Sequence, residues 1–465
     1  MLDVMAKYRI SGITIGEKEK LVGIISKQFG KKDESVLRNV MLAFDAGYAF
    51  NVGDLEKFSF EPGEASTGRP RISTDGNTML TLGLLAGGVR FGSAYPITPW
   101  SQIMEMMRAE LPKYNGIFVQ AEDELSAVSM AIGMAYAGHM AMTGSSGPGI
   151  SLKMEALGYA SMAEIPLVVV NVQRGGPSTG MPTNVEQSDL MQAIYGSHGD
   201  APRVVISPKN VEDCFYTAME ACRIAREYST PVIILTDQAV STRIEAFDEP
   251  DLPNIMVKPG ADLSPRPADF KPYPLDRLTR PAPPGSVIGS GKYPTVTGLE
   301  HDELGHPTGS SKLHTQMTAK RREKIKQLAA TLPAPELSGD SAGEALLVTW
   351  GSNWGPGREA ISRVRAVGIK AGHLHLRHLN PLPNGLAETF ARYHKIVVAE
   401  INDQVPYTFG ELLPAARIDV DPTPPDKYTP TLASPRRRRR TADSTAAVSS
   451  GTTSWARGVA VPGAA

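Results

Sequence analysis

Between Asn77 and about Gln238, short apolar runs at 89–94, 117–119, 140–143, 167–172, 204–206 and 232–235 alternate with stretches long enough to be helices. A strand covered on one face alternates polar and apolar residues. An unbroken apolar run with a helix before the next run is the pattern of parallel strands buried on both faces. The spacing therefore predicts a doubly wound α/β sheet. Similar runs at 345–350, 372–376 and 395–399 predict a second, smaller α/β unit.

Around these units the composition shifts. Helix-like stretches at 17–29 and 34–50 come first, and 69–76 (RPRISTDG) is a polar connector. Residues 246–340 hold a proline-rich arm and then a basic helix at about 312–328. Beyond Pro422 neither helical nor strand periodicity survives, which predicts disorder. The formal charge of −1 argues against a nucleic-acid or membrane-surface binder. It conceals an asymmetry: residues 1–421 hold 41 basic and 47 acidic residues, whereas 422–465 hold seven basic and two acidic. The tail's five arginines at 436–440 look like a basic patch, but the abrupt loss of pattern fits a frame error or fusion scar better, so the tail is not expected to take part in function. Two cysteines, Cys214 and Cys222, make neither a disulfide framework nor a cluster site. With no secretory core and no membrane-length apolar run, a cytoplasmic protein is expected.

Ligands of such a sheet sit outside the carboxyl ends of its strands, where four loops stand out. In Tyr95-Pro96-Ile97-Thr98-Pro99 two prolines stiffen the chain and free the Thr98 hydroxyl, whose plainer role is to cap the next helix. Gln120-Ala121-Glu122-Asp123-Glu124 opens a helix of small residues. On a helical wheel Asp123 faces away from the stripe of Leu125, Val128, Ile132 and Tyr136, while Glu122 and Glu124 flank it. Either could be a pocket carboxylate, although acidic residues in a first turn also simply favour the helix dipole. Thr143-Gly144-Ser145-Ser146-Gly147-Pro148-Gly149 lets backbone approach a flat ligand or an anion. It lacks the Lys-Ser/Thr of a P-loop and does not fit G-x-G-x-x-G. In the fourth loop the buried run at 167–172 leads straight into Arg174, followed by Gly175, Gly176, Pro177 and Ser178. A guanidinium at the crevice mouth suits a carboxylate, to which it can donate two parallel hydrogen bonds. His198 is a further candidate, although a lone loop histidine is more often polar surface. His301, His306 and His314 have no fixed spacing and predict a solvated loop, with no metal held.

Taken in order, YPITP (95–99), QAEDELSA (120–127), TGSSGPG (143–149), QRGGPSTGMPT (173–183), and EQSDL with YGSHGDAPRVV (186–205) resemble the alpha subunits of 2-oxoacid:ferredoxin oxidoreductases, above all the 2-oxoglutarate branch. With TGLEHDE (297–303) and GHPT (305–308), the resemblance covers roughly residues 15–420. It implies oxidation of a 2-oxoacid with coenzyme A to an acyl-CoA and carbon dioxide on thiamine diphosphate, with electrons passed to ferredoxin. It makes 1–68 the remnant of a gamma-like domain, 77–245 a thiamine-pyrimidine-binding domain and 341–421 a unit like the carboxyl-terminal domain of transketolase. Tyr95, Pro96, Ile97, Ser146 and Gly147 then belong to the cofactor site. Glu122 falls on the family glutamate, which bonds the pyrimidine nitrogen and favours the imino tautomer that removes the thiazolium proton. Thr98, Arg174 and Ser178 hold the substrate. Apart from the resemblance, His198 is expected on the distal carboxylate of 2-oxoglutarate.

The sequence contains no GDG followed by Asn, the motif that holds magnesium and diphosphate in thiamine enzymes, and no clustered cysteines. In the family both belong to the beta subunit, which would carry the iron–sulfur cluster, so this chain should be half of an active site and inactive alone. The missing glycine-rich start of the gamma-like domain adds a separate gamma subunit to the expected partners. The rival readings are an assembly or regulatory subunit of the same fold, an enzyme for pyruvate or branched-chain 2-oxoacids, and a free-standing thiamine enzyme, which the missing diphosphate motif disfavours.

Overall fold

The computed structural model describes residues 18–49, 71–250 and 260–402. Helices α1 (Lys18–Phe29) and α2 (Glu34–Ala49) pack together through Leu21, Ile25 and Phe44. The remainder of the 1–68 segment and the tail from 403 onward lie outside the described residues. The stretch expected to be a plain connector is in part a strand. β1 (Arg71–Asp75) pairs antiparallel with Ile244–Asp248, setting Ile72 against Phe247. Asp75 then caps α3 (Gly76–Ala86), accepting from the Thr78 amide at 2.8 Å.

The alternation proceeds as β2 (Phe91–Ala94), α4 (Ser101–Glu110), β3 (Ile117–Gln120), α5 (Glu124–Tyr136), β4 (Ala141–Ser145), α6 (Gly147–Met162), β5 (Leu167–Gln173), α7 (Leu190–Tyr195), β6 (Val204–Ile206), α8 (Val211–Tyr228), β7 (Pro231–Asp237), α9 (Gln238–Thr242) and β8 (Ile244–Asp248). After the arm come α10 (Ser311–Thr331), β9 (Glu336–Gly339), β10 (Gly343–Trp350), α11 (Trp354–Ala366), β11 (Ala371–Leu376), β12 (His378–Asn380), α12 (Leu386–Phe390) and β13 (Tyr393–Ala399).

The large sheet runs β12-β6-β7-β5-β4-β2-β3, with all pairings parallel except that of β12. Every residue of β5 is buried. Val168, Val170 and Val172 enter one core, while Leu167 and Val169 enter the other. Two covered faces are the reason these runs never alternate, and each such side chain contributes about 1.5–3 kcal/mol on burial. The smaller sheet runs β13-β10-β11-β9, with β9 an antiparallel edge. No local pattern announces β12, a three-residue strand that leaves the second unit and pairs with β6 of the large sheet. Only Leu379 in it is apolar.

The basic helix forms as expected. Its underside is charged: Lys320 and Lys324 reach Glu164, which is fully buried between α6 and β5 and also accepts from the Thr279 hydroxyl at 2.6 Å. The arm around His301 departs from the solvated loop expected of it. His301 is 0% exposed, bonds the Asp302 and Met162 carbonyls through its two ring nitrogens, and packs on Tyr273. His306 and His314 are exposed and pair with Asp302 and Glu300. Among the described residues no three His, Cys, Asp or Glu side chains are grouped to hold a metal. No helix among the described residues is long and apolar enough to cross a membrane.

Candidate functional site

Chain order and sheet order part company at β2. Its successor β3 lies on one side, and the chain then returns to lay β4 on the other. Such a reversal opens a crevice at the carboxyl ends of the two strands. The loop after β2 closes over β4 because position 144 is glycine: a Cβ there would stand 2.2 Å from the Trp100 ring. Asn77 fastens the loop from below, donating to the Pro99 carbonyl at 3.1 Å. Thr98 does not cap the next helix, since α4 starts at Ser101 with no side-chain cap. Its carbonyl instead accepts from Arg174 Nη1 at 2.6 Å.

Arg174 is 6% exposed. Nη2 donates to the Thr179 carbonyl at 2.7 Å, while Nε has no partner and no described carboxylate pairs with the side chain. Burial lowers its pKa. Two neutral carbonyls orient the guanidinium without neutralising it, leaving a cation with spare donors. It lines a cleft of about 640 Å3 together with Gly147, Pro148, Ser178 and Asp189. Asp189 accepts from Asn171 Nδ2 at 3.0 Å, and burial raises its pKa. Gln187, fully buried in the cleft floor, donates to Asp237 at 2.9 Å and accepts from Asn353 at 2.9 Å, tying this loop to the residues after β10.

After β3, Asp123 caps α5 by accepting from the Ser126 amide at 2.7 Å. That geometry separates the two glutamates the helical wheel left open. Glu122, before the cap, is exposed and bonds no described residue. Glu124, in the first turn, is 9% exposed and lies against α6. A Cβ on Gly149 would meet Glu124 Oε1 at 2.6 Å and the Ser145 hydroxyl at 2.0 Å, so only glycine leaves room for both. The structure thus brings Glu124 into the crevice and leaves Glu122 outside it. The Glu124 carboxylate accepts no hydrogen bond from a described residue, and the hydroxyls of Thr143, Ser145 and Ser146 are buried without partners. Buried polar groups are ordinarily paired, so this edge retains unused hydrogen-bonding capacity. Lys153, fully buried on α6, donates to the Glu124 carbonyl at 3.0 Å, and burial lowers its pKa to about 8.

Of the residues expected from sequence, Thr98 and Arg174 are in direct contact, and Gly147 and Ser178 line the cleft with Arg174. Ser146 heads α6, and half-buried Pro96 and Ile97 follow the more exposed Tyr95 in the loop after β2. His198 is not brought there. Its loop enters β6, whose Val204 pairs with Val232 near the start of β7, so the exposed ring lies toward the amino ends of the strands. Ser145, Asp189 and Lys153 escaped the sequence reading because, on sequence alone, each passes for an ordinary turn, helix-start or helix residue.

Residues 82–320 match the pyruvate flavodoxin/ferredoxin oxidoreductase, thiamine diphosphate-binding family, and 343–421 match the pyruvate:ferredoxin oxidoreductase core domain II. The 2-oxoglutarate oxidoreductase subunit KorA of Mycobacterium tuberculosis is 39% identical over 411 residues, 83% of this chain and 60% of that protein. The 2-oxoglutarate synthase subunit KorA of Methanothermobacter marburgensis is 36% identical over 329 residues, 70% of this chain and 87% of that protein. Among solved structures, the 2-oxoglutarate:ferredoxin oxidoreductase from Magnetococcus marinus, with 2-oxoglutarate, coenzyme A and succinyl-CoA bound, superimposes with a TM-score of 0.76 at 34% identity, over 90% of this chain and 72% of that one. The chain therefore spans less than two thirds of the mycobacterial relative.

Proposed function

The chain belongs to the pyruvate flavodoxin/ferredoxin oxidoreductase family, and from that membership we propose that it is the alpha subunit of a 2-oxoacid:ferredoxin oxidoreductase. Its reaction is the oxidative decarboxylation of 2-oxoglutarate with coenzyme A to succinyl-CoA and carbon dioxide, ferredoxin taking the electrons. The observation that carries the reading is the pairing, along one carboxyl edge of the sheet, of Glu124, a carboxylate with no donor among the described residues, and Arg174, a buried guanidinium with no carboxylate among them. The names of the relatives favour 2-oxoglutarate as the substrate.

An aminopyrimidine edge carries both donors and acceptors, which fits the free Glu124 carboxylate and the unpartnered Ser145 and Ser146 hydroxyls. Glu124 would hold a proton shared with the ring nitrogen, with Tyr95, Pro96 and Ile97 forming the adjoining loop. Thiamine diphosphate, when bound, supplies an acidic carbon that adds to the 2-keto group and accepts the electron pair released with carbon dioxide. Arg174, fixed by the Thr98 and Thr179 carbonyls, orients the substrate's 1-carboxylate. Magnesium, diphosphate and the iron–sulfur cluster belong to a beta subunit.

The test is 2-oxoglutarate- and coenzyme A-dependent reduction of a viologen dye by the complex reconstituted with its beta subunit. Glu124→Gln should lower kcat by about 100-fold or more, with assembly intact, and Glu122→Gln should leave it within about twofold. The reverse order overturns the assignment of Glu124, and no wild-type activity with any 2-oxoacid overturns the function.

A further inference from the structure

Toward the amino ends of the strands, away from the crevice, another buried arginine has no carboxylate partner among the described residues. Arg203, at the entrance to β6, is 1% exposed, and no described carboxylate pairs with it. Its Nε donates to the Ala201 carbonyl at a long 3.4 Å, Nη1 reaches the Met154 thioether at 3.3 Å, and Nη2 donates to the Ser197 hydroxyl. Five N–H donors thus share two neutral oxygens and a weakly accepting sulfur. Burial lowers the guanidinium's pKa to about 10. An unpaired cation out of water is costly, and the group that would offset it is an anion.

The surroundings fit one. Arg203 lines a cavity of about 310 Å3 together with Arg322 and Lys326, one turn apart on α10, and with one carboxylate, Asp200, so that cations outnumber anions there three to one. Their own partners are weak: Asp200 lies 3.7 Å from Arg322 and Glu323 lies 3.8 Å from Lys326, with all four side chains more than half exposed. Three cations around one opening exceed what a single carboxylate calls for and suit the several acceptor oxygens and double charge of a phosphate. The lining is otherwise partly apolar, with Ile194 and Tyr195 beside Ile325, which lies between Arg322 and Lys326 on α10. A free inorganic ion would leave those side chains unused.

We infer that this cavity binds a phosphate monoester, its phosphate on Arg203, Arg322 and Lys326 and its organic part against Tyr195 and Ile325. The site is separate from the catalytic reading and can be tested without turnover. Calorimetric titration of the full chain with AMP and, separately, with inorganic phosphate should give saturable binding, tighter for AMP. Arg322→Ala with Lys326→Ala, both exposed and safe for folding, should weaken AMP by at least about tenfold. Arg203→Met should abolish AMP binding at an unchanged or raised melting temperature, since it removes a buried charge. Arg174→Met should keep AMP binding, which separates this cavity from the crevice. Absence of heat with both probes, or wild-type affinity in both cavity variants, overturns the site. Inorganic phosphate binding as tightly as AMP overturns the monoester.

Discussion

Glu164 and Arg174 stand at opposite ends of the same strand, β5, and both are buried. Glu164 is saturated: Lys320 and Lys324 bond its two oxygens, Lys324 at 2.8 Å, and the Thr279 hydroxyl adds a bond at 2.6 Å. Arg174 is oriented by two carbonyls and left with a spare donor and no counter-ion. The first arrangement fastens α10 and the arm to the sheet. The second spends stability on a charge that only a ligand can complete. Burial alone therefore does not tell a structural charge from a functional one, whereas the completeness of its partners does.

Glu164→Gln is the harshest way to break the comparison. It leaves Lys320 and Lys324 buried without a carboxylate, a situation that typically costs about 3–5 kcal/mol. Urea unfolding should show that loss, and a change below about 1 kcal/mol would mean the cluster is no better completed than Arg174. Arg174→Met should behave oppositely. Stability should move by less than about 1 kcal/mol, because a costly buried cation is removed, while kcat/KM of the reconstituted complex falls by about 100- to 1,000-fold, or 3–4 kcal/mol of transition-state binding. A variant that unfolds while its residual folded fraction works normally would make Arg174 structural.

The same contrast has a pH signature. The two lysines hold the Glu164 carboxyl at about 2 against the opposing effect of burial, below the ordinary value near 4.5. A depressed carboxyl contributes stability that is complete above its unfolded pKa and is lost as pH falls toward its folded one. The window is thus pH 4.5 down to about 2, and about 3 kcal/mol is at stake. Denaturant titrations across that range should show wild type losing stability faster than Glu164→Gln. Parallel curves would show that the cluster does not govern acid sensitivity.

Much of this was legible in the sequence, and the failures have a common cause. The apolar runs marked six parallel strands because a strand covered on both faces has no alternative composition. Arg174 was legible because a charge directly after 167–172 must emerge at the strand's end. The helical wheel did not separate Glu124 from Glu122 and the family resemblance put the role on Glu122, whereas the N-cap at Asp123 leaves Glu124 as the neighbour that is buried. β12 and the buried His301 depend on pairing with distant residues, Val205 and Ile206 for the strand and Met162 for the histidine, so no local pattern announces them. His198 precedes β6, and it lies toward the amino ends of the strands because β6 runs parallel to β7.

Lys153 offers the finest adjustment of the comparison, since it lies between the two extremes. It is fully buried, like Glu164, yet its only hydrogen bond among the described residues is to the Glu124 carbonyl. Burial pulls its pKa down to about 8, with the nearby Glu124 and Asp123 charges acting the other way. Because the folded pKa lies below the unfolded one near 10.5, the unfolded chain binds the extra proton between those values, and stability should rise with pH from about 8 to 10.5. Lys153→Met fills the same space without the charge. It should therefore be more stable than wild type at pH 7 by about 3 kcal/mol, with the gap closing as pH rises through that window. If the gap is absent at pH 7, the lysine is better compensated than one hydrogen bond allows. If it is present while kcat falls, Lys153 is kept at the expense of stability because it fixes the turn from which Glu124 projects.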